Sequence, residues 1–147
     1  MPDDRWTPLR IETRLEQAAS VIRRLPEQKV RGYFNTWPQI TPEFSDLVGR
    51  EPRRLRLPPP SPRAIDQAWE TMTWLRWLKP DDAKIIWMRA ENHQWKIVCR
   101  QVGLSRTCAW ERWVVALCVI SLHLNGERVP KHSYRLKAMA RAMRRSA

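Results

Sequence analysis

The sequence predicts an all-α fold with a helix-turn-helix in its C-terminal half, and three observations carry that prediction. Apolar residues recur at helical spacing in segment after segment, each opened or closed by a recognisable cap. Among 147 residues there are only four glycines but twelve prolines, which suits helices joined by stiff connectors better than a turn-rich β fold. Within Trp95–Asn125 a short amphipathic stretch, the triplet Gly103-Leu104-Ser105 and a longer apolar stretch follow one another, the order of a helix-turn-helix.

The first helix is expected over Thr7–Leu25. Thr7 can cap it, Pro8 suits the first helical position, and Pro26 ends it. Leu9 or Ile11, Leu15, Ala18, Ala19, Ile22 and Leu25 mark one apolar face, with Arg10, Glu12, Arg14, Glu16 and Arg23 mostly opposite. Residues 27–60 read as an irregular connector. Tyr33, Phe34, Trp37 and Phe44 would anchor it to the helical body. Arg50, Arg53, Arg54, Arg56 and Arg63 then oppose only Glu51, and Pro58-Pro59-Pro60 forces extended backbone. This stretch is either a solvated linker or a basic arm on phosphate.

Ser61-Pro62 is a second start signal. The helix is expected to reach Leu78, with Ile65, Trp69, Met72 and Leu75 on one stripe and Trp74 and Trp77 on another, covered from both sides. After Lys79-Pro80, Asp81 and Asp82 place negative charge in the first turn of a helix over Asp81–Glu91, closed by Asn92-His93. Trp95–Val102 and Ser105–Leu124 make the helix-turn-helix, and Asn125-Gly126 stops it. Beyond Pro130, Ser133–Arg145 is a basic amphipathic helix with Tyr134, Leu136, Met139 and Met143. The chain thus divides into an N-terminal helix (1–26), a connector (27–60), a Trp-rich helical domain (61–126) and a basic tail (127–147).

A helix-turn-helix needs a small residue at the helix crossing, a turn residue that tolerates positive φ, an apolar residue after it and a polar cap. Cys99, Gly103, Leu104 and Ser105 supply these in order. Ile97, Val98 and Val102 would line the inner face of the first helix, and Ala109, Trp113, Ala116, Leu117 and Ile120 that of the second. Arg106, Thr107, Trp110 and Glu111 are left near the start of the second helix, whose N-terminal residues meet base edges in such motifs. Arg106 suits guanine, Thr107 a phosphate or a thymine methyl, and Glu111 cytosine or an ion pair with Arg112. Trp110 is large for a groove and suits packing as well. Phosphate contacts are expected from Lys96, Arg100, Gln101, Ser105, Arg112, Arg141, Arg144 and Arg145.

The charge agrees with that reading. Lys and Arg number 27 against 15 Asp and Glu, a formal net charge of +12, which favours a polyanionic partner. Double-stranded DNA comes first and an anionic membrane surface second. Trp113–Ile120 is too short an apolar run to span a bilayer, and MPDDRWTPLR holds no apolar signal core. A cytoplasmic, nucleoid-associated location is the expectation. His93, His123 and His132 are far apart with no ligand spacing around them. No metal site, cofactor or catalytic constellation is expected, and an enzyme is the least favoured class. Cys99, Cys108 and Cys118 form no CxxC pair and read as buried free thiols.

Asp81–Leu117, carrying KIIWMRA, WKIVCRQVGLSRT and ERWVVAL in order, resembles the promoter-reading C-terminal domain of bacterial sigma factors. There a similar helix precedes an IAxxLGxSxxTV helix-turn-helix and an RxxxAL tail; Ala116-Leu117 falls where that tail would. Cys108-Ala109 replaces the Thr-Val of the pattern, Trp95 heads the first helix, and no other sigma domain is visible. The whole chain is also similar to small uncharacterised proteins of alphaproteobacterial phages and prophages. The shared marks are RLEQAASVIRRLP, Trp37-Pro38, Pro60–Asp66 and the Trp-rich helix-turn-helix. The second resemblance implies a phage context and little about mechanism; with the DNA-reading motif, the expected function is sequence-directed binding of double-stranded DNA as a phage or prophage transcriptional regulator. A DNA-packaging adaptor of the small-terminase kind and an interaction module docking on RNA polymerase are the alternatives. Val114, Val115, Cys118 and Val119 face away from the helix-turn-helix core. The first helix, the Trp-rich helix or a second copy of the chain must therefore cover Trp113–Ile120.

Overall fold

A computed structural model of the chain describes residues 5–26 and 57–145, with side chains as far as residue 143. The fold is all-α. Among the described residues there are six α-helices, one 3₁₀ turn and no strand: α1 (Pro8–Arg24), α2 (Pro62–Trp74) with the 3₁₀ turn Leu75–Trp77, α3 (Pro80–Ala90), α4 (Trp95–Val102), α5 (Arg106–Leu124) and α6 (Ser133–Arg145). The aromatics expected to anchor the connector, and its arginines from Arg50 to Arg56, lie outside the described residues.

Local chemistry sets the helix ends. The Thr7 hydroxyl accepts from the Arg10 N–H, Ser61 from Ala64 and Ser105 from Cys108, each at 3.3 Å, and Pro8, Pro62 and Pro80 stand at first helical positions. α3 and α5 end in paired Schellman bonds. His93 N–H reaches Met88 C=O and Asn92 N–H reaches Arg89 C=O; Glu127 and Gly126 repeat the pattern on Leu122 and His123. The residues at the reversal, Asn92 and Gly126, have φ of 65° and 71°.

α5 is the centre of the molecule. Buried positions run all the way round it, from Ala109, Trp113 and Val114 to Ile120, Ser121 and Leu122. It meets α1, α3, α4, α6 and the 3₁₀ turn. By length and composition α5 could cross a membrane, but half of that apolar stretch is buried within this fold. The outer face that the sequence left uncovered, around Val114 and Cys118, lies mainly under α6. Ala140 is buried, Leu136, Met139 and Met143 are packed on the core, and the Cys118 thiol lies 3.6 Å from the Met143 sulfur. The far end of α5 is clipped by Trp6. Ser121 Oγ and Asn125 Nδ2 both donate to the Trp6 carbonyl, at 2.7 and 2.9 Å, and Trp6 N–H donates back to Asn125 Oδ1. The Trp6 ring meets buried Trp74 edge-on. Within one chain Trp113, Val114, Ala116, Leu117, Cys118 and Ile120 are thus buried, while Val115 and Val119 are half-buried.

Three face assignments change. On α1, Ile22 and Leu9 are exposed and Val21 is buried instead. On α2 the buried line is Ala68, Thr71 and Trp74, which meets α1 and the core, while Trp69 is 64% exposed. α1 packs on the line of Ala68 and Thr71, and Trp69 stands off that line on the outer side. Cys108, expected buried, is exposed; Cys99 is half-buried and Cys118 fully buried.

Candidate nucleic-acid interface

α4 and α5 meet through a turn that glycine permits. Gly103 has φ 71° and ψ 30°, the left-handed region, and its N–H and that of Leu104 both bond the Cys99 carbonyl. The chain then turns back at Leu104, which is half-buried on the core, and Ser105 caps α5. The pair is held by Val98 and Ala109, both fully buried, and by an edge-on contact of Trp95 with Trp113 at 5.8 Å. Arg89 of α3 lies 4.8 Å over the Trp95 ring. Cys99, expected at the crossing, is half-buried, and Ile97, expected on the inner face, is exposed.

The exposed surface of this pair collects most of the expected contact residues. Lys96, Arg100 and Gln101 stand out from α4, and Ser105, Arg106 and Thr107 from the start of α5, which holds no acid in its first turn. Trp110 is partly exposed one turn later and borders α6 beside Lys137 and Arg141. Among the described residues, Lys96, Arg100 and Arg106 carry no ion pair. The Gln101 side chain is exposed and its carbonyl accepts from Lys84 Nζ at 3.4 Å.

Glu111, Arg112 and Arg141 belong elsewhere. Glu111 accepts from Arg141 at 2.6 Å and Lys137 at 3.2 Å, pairs that hold α6 against α5. Those hydrogen bonds, Arg141 first, hold its carboxyl below the ordinary carboxylate range. A carboxylate so engaged does not read cytosine, and Arg141 is drawn toward the pair. Arg112 Nε donates to Asp82 at 2.6 Å, with Asp81 at 3.8 Å from the same guanidinium. It fastens the first turn of α3 to α5, so in this structure its guanidinium is engaged by carboxylates. Asp81 and Asp82 thus act twice, at their helix start and on Arg112. The side chains of Arg144 and Arg145 lie outside the described residues.

A groove of about 660 Å³ runs along the flank of α5. Leu104, Val115, Val119 and Leu136 give it apolar walls, Cys108 opens onto it, and Lys79, Lys131 and Lys137 line it together with Asp82, Glu111 and Arg112. Lys79 and Lys131 are exposed, without an ion pair among the described residues. The sequence places Lys131 only within the basic tail and does not place Lys79 at the site at all. No local signal marks them, because the groove is assembled from segments about fifty residues apart.

The family model for a domain of unknown function, DUF6362, matches residues 23–120. The chain belongs to the DUF6362 family. The DUF6362 segment runs from the last turn of α1 into the buried half of α5, and so holds α4, the Gly103 turn and all but the last four residues of α5. α6, with its Lys137 and Arg141, and the Trp6 clip lie outside it. No curated protein and no solved structure matches this DUF6362 chain.

Proposed function

We propose that the protein binds double-stranded DNA through the α4–α5 pair, with the start of α5 in the major groove. The observation that carries this is the exposed, acid-free run Ser105-Arg106-Thr107 at a helix start, flanked by exposed Lys96 and Arg100 on the preceding helix. A helix N-terminus adds its own positive dipole end to such a surface. Arg106 and Thr107 read base edges, and Trp110 borders them. Lys96, Arg100, Gln101 and the Ser105 region hold phosphates, and Lys79 and Lys131 extend that strip along the α5 flank. The role of phage or prophage transcriptional regulator, working in the bacterial cytoplasm at the nucleoid, rests on the resemblances of Asp81–Leu117 and of the whole chain.

Fluorescence anisotropy with labelled duplexes tests the reading. The intact chain should bind random duplex DNA at low salt, and Arg106→Gln should weaken its preferred sequence at least tenfold. No binding at 50 mM salt, or a variant indistinguishable from wild type, would remove the proposal.

A further inference from the structure

A second site lies away from the helix-turn-helix, in a cleft of about 300 Å³ between α1 and α2. Alanines from both helices form its floor, and Arg14, Gln17, Ser20, Arg24, Gln67 and Thr71 provide polar atoms around it. Two guanidiniums and no carboxylate line it, a balance unlike that of a solvated helix–helix seam, where charges of both signs alternate.

Arg14 is the informative residue. Its Nε–H is buried and, among the described residues, has no hydrogen-bond partner. An unmet donor on a charged group is costly, and native structures rarely leave one. Its nearest acid, Glu70, lies 3.7 Å from the other end of the guanidinium, is 58% exposed and does not line the cleft. That distance is beyond a hydrogen bond. The Arg24 guanidinium, near the end of the same helix, spends its Nε–H on the Ser20 carbonyl at 3.3 Å and keeps its terminal donors. Thr71 donates to the Gln67 carbonyl at 2.8 Å and so presents oxygen lone pairs. The Gln17 and Gln67 amides add donors and acceptors on either side.

We propose that this cleft binds a small oxyanion-bearing molecule, its phosphate or carboxylate group seated on the Arg14 guanidinium and its polar body between the glutamine amides. The planar guanidinium fork matches either anion with two parallel hydrogen bonds. The volume stands at the lower end of small-molecule pockets, which holds a metabolite-sized ligand and excludes a duplex. The site is independent of the DNA reading, because none of its residues belongs to α4 or α5.

Side-chain ¹H–¹⁵Nε correlation spectra of the intact chain, titrated separately with inorganic phosphate and with succinate at constant ionic strength, test it. Arg14→Lys assigns the Arg14 signal. We expect that signal to move saturably with one of the two anions, phosphate or carboxylate chemistry being told apart by which one acts. The same anion should raise the melting temperature by about 4 °C at ten times its dissociation constant. Arg14→Gln should weaken binding at least tenfold, and Arg106→Gln should leave it unchanged. An Arg14 signal that stays put with both anions overturns the proposal, as does undiminished binding by Arg14→Gln. Should Arg14→Gln not fold, the wild-type signal, assigned through the charge-conserving Arg14→Lys, still decides.

Discussion

Gly103 stands where nothing would obstruct a side chain. A Cβ built there meets no atom within 4 Å, yet the backbone is at φ 71°. The penalty for Gly103→Ala is therefore the left-handed conformation alone, about 1–2 kcal/mol, and Gly103→Asn should lose less because asparagine tolerates that region. Urea denaturation of the two variants checks the order; equal losses would mean that space, not φ, is the constraint. Cys118 makes a second argument at this scale. Burial, with a smaller push from Glu127, raises its thiol from 9.0 to about 11. An acid whose folded value is raised keeps its full contribution below the unfolded value and loses it as pH climbs to the folded one. Wild type should thus lose stability between pH 9 and 11 relative to Cys118→Ala, by about 2–3 kcal/mol. The same burial leaves Cys118 unreactive to a thiol reagent at pH 8, while exposed Cys108 reacts.

At the scale of elements, α6 is the piece whose role the structure changes most. It has no acid of its own, and sequence alone offers it to phosphate. In the fold its apolar face, Leu136, Met139, Ala140 and Met143, covers α5, and Lys137 and Arg141 are drawn to Glu111. Glu111→Gln should release both cations while the apolar contact keeps α6 in place. We expect DNA affinity to rise several-fold at low salt with Cys118 still protected from thiol reagents. Loss of that protection would show that the ion pairs, and not the apolar face, hold α6. What was legible in the sequence follows the range of the interaction. Thr7-Pro8, Ser61-Pro62, Ser105 and Asn125-Gly126 act within four residues, so their helices are found nearly to the residue. The turn at Gly103 and the exposed Arg106 and Thr107 are found for the same reason. Glu111 and Arg112 mislead because their partners stand 26 to 30 residues away. Periodicity says that α2 has a buried line, but not that it runs through Ala68 and Trp74 with Trp69 outside. That choice depends on where α1 packs, which is a long-range contact.

For the whole molecule, the count of 27 Lys and Arg overstates the cations that a duplex would meet. Arg112 is held by Asp82, Lys137 and Arg141 by Glu111, and Arg5 by Glu127. The cations of the interface that carry no ion pair among the described residues are Lys96, Arg100 and Arg106, with Lys79 and Lys131 beside them along the groove. Each phosphate neutralised releases counterion, and the logarithm of affinity falls with the logarithm of salt by about 0.9 per contact. If these five are the contacting set, the slope is about −4 to −5. Lys79→Gln and Lys131→Gln should each make it shallower by about one unit, equally on every sequence. Arg112→Gln should leave the slope unchanged and lower thermal stability, because Asp82 loses its partner. A slope near zero would mean that the exposed charges do not meet phosphate. A loss of about one unit in Arg112→Gln would mean that Arg112 leaves Asp82 on binding and joins the contacts, so that the α3–α5 fastening opens as DNA arrives.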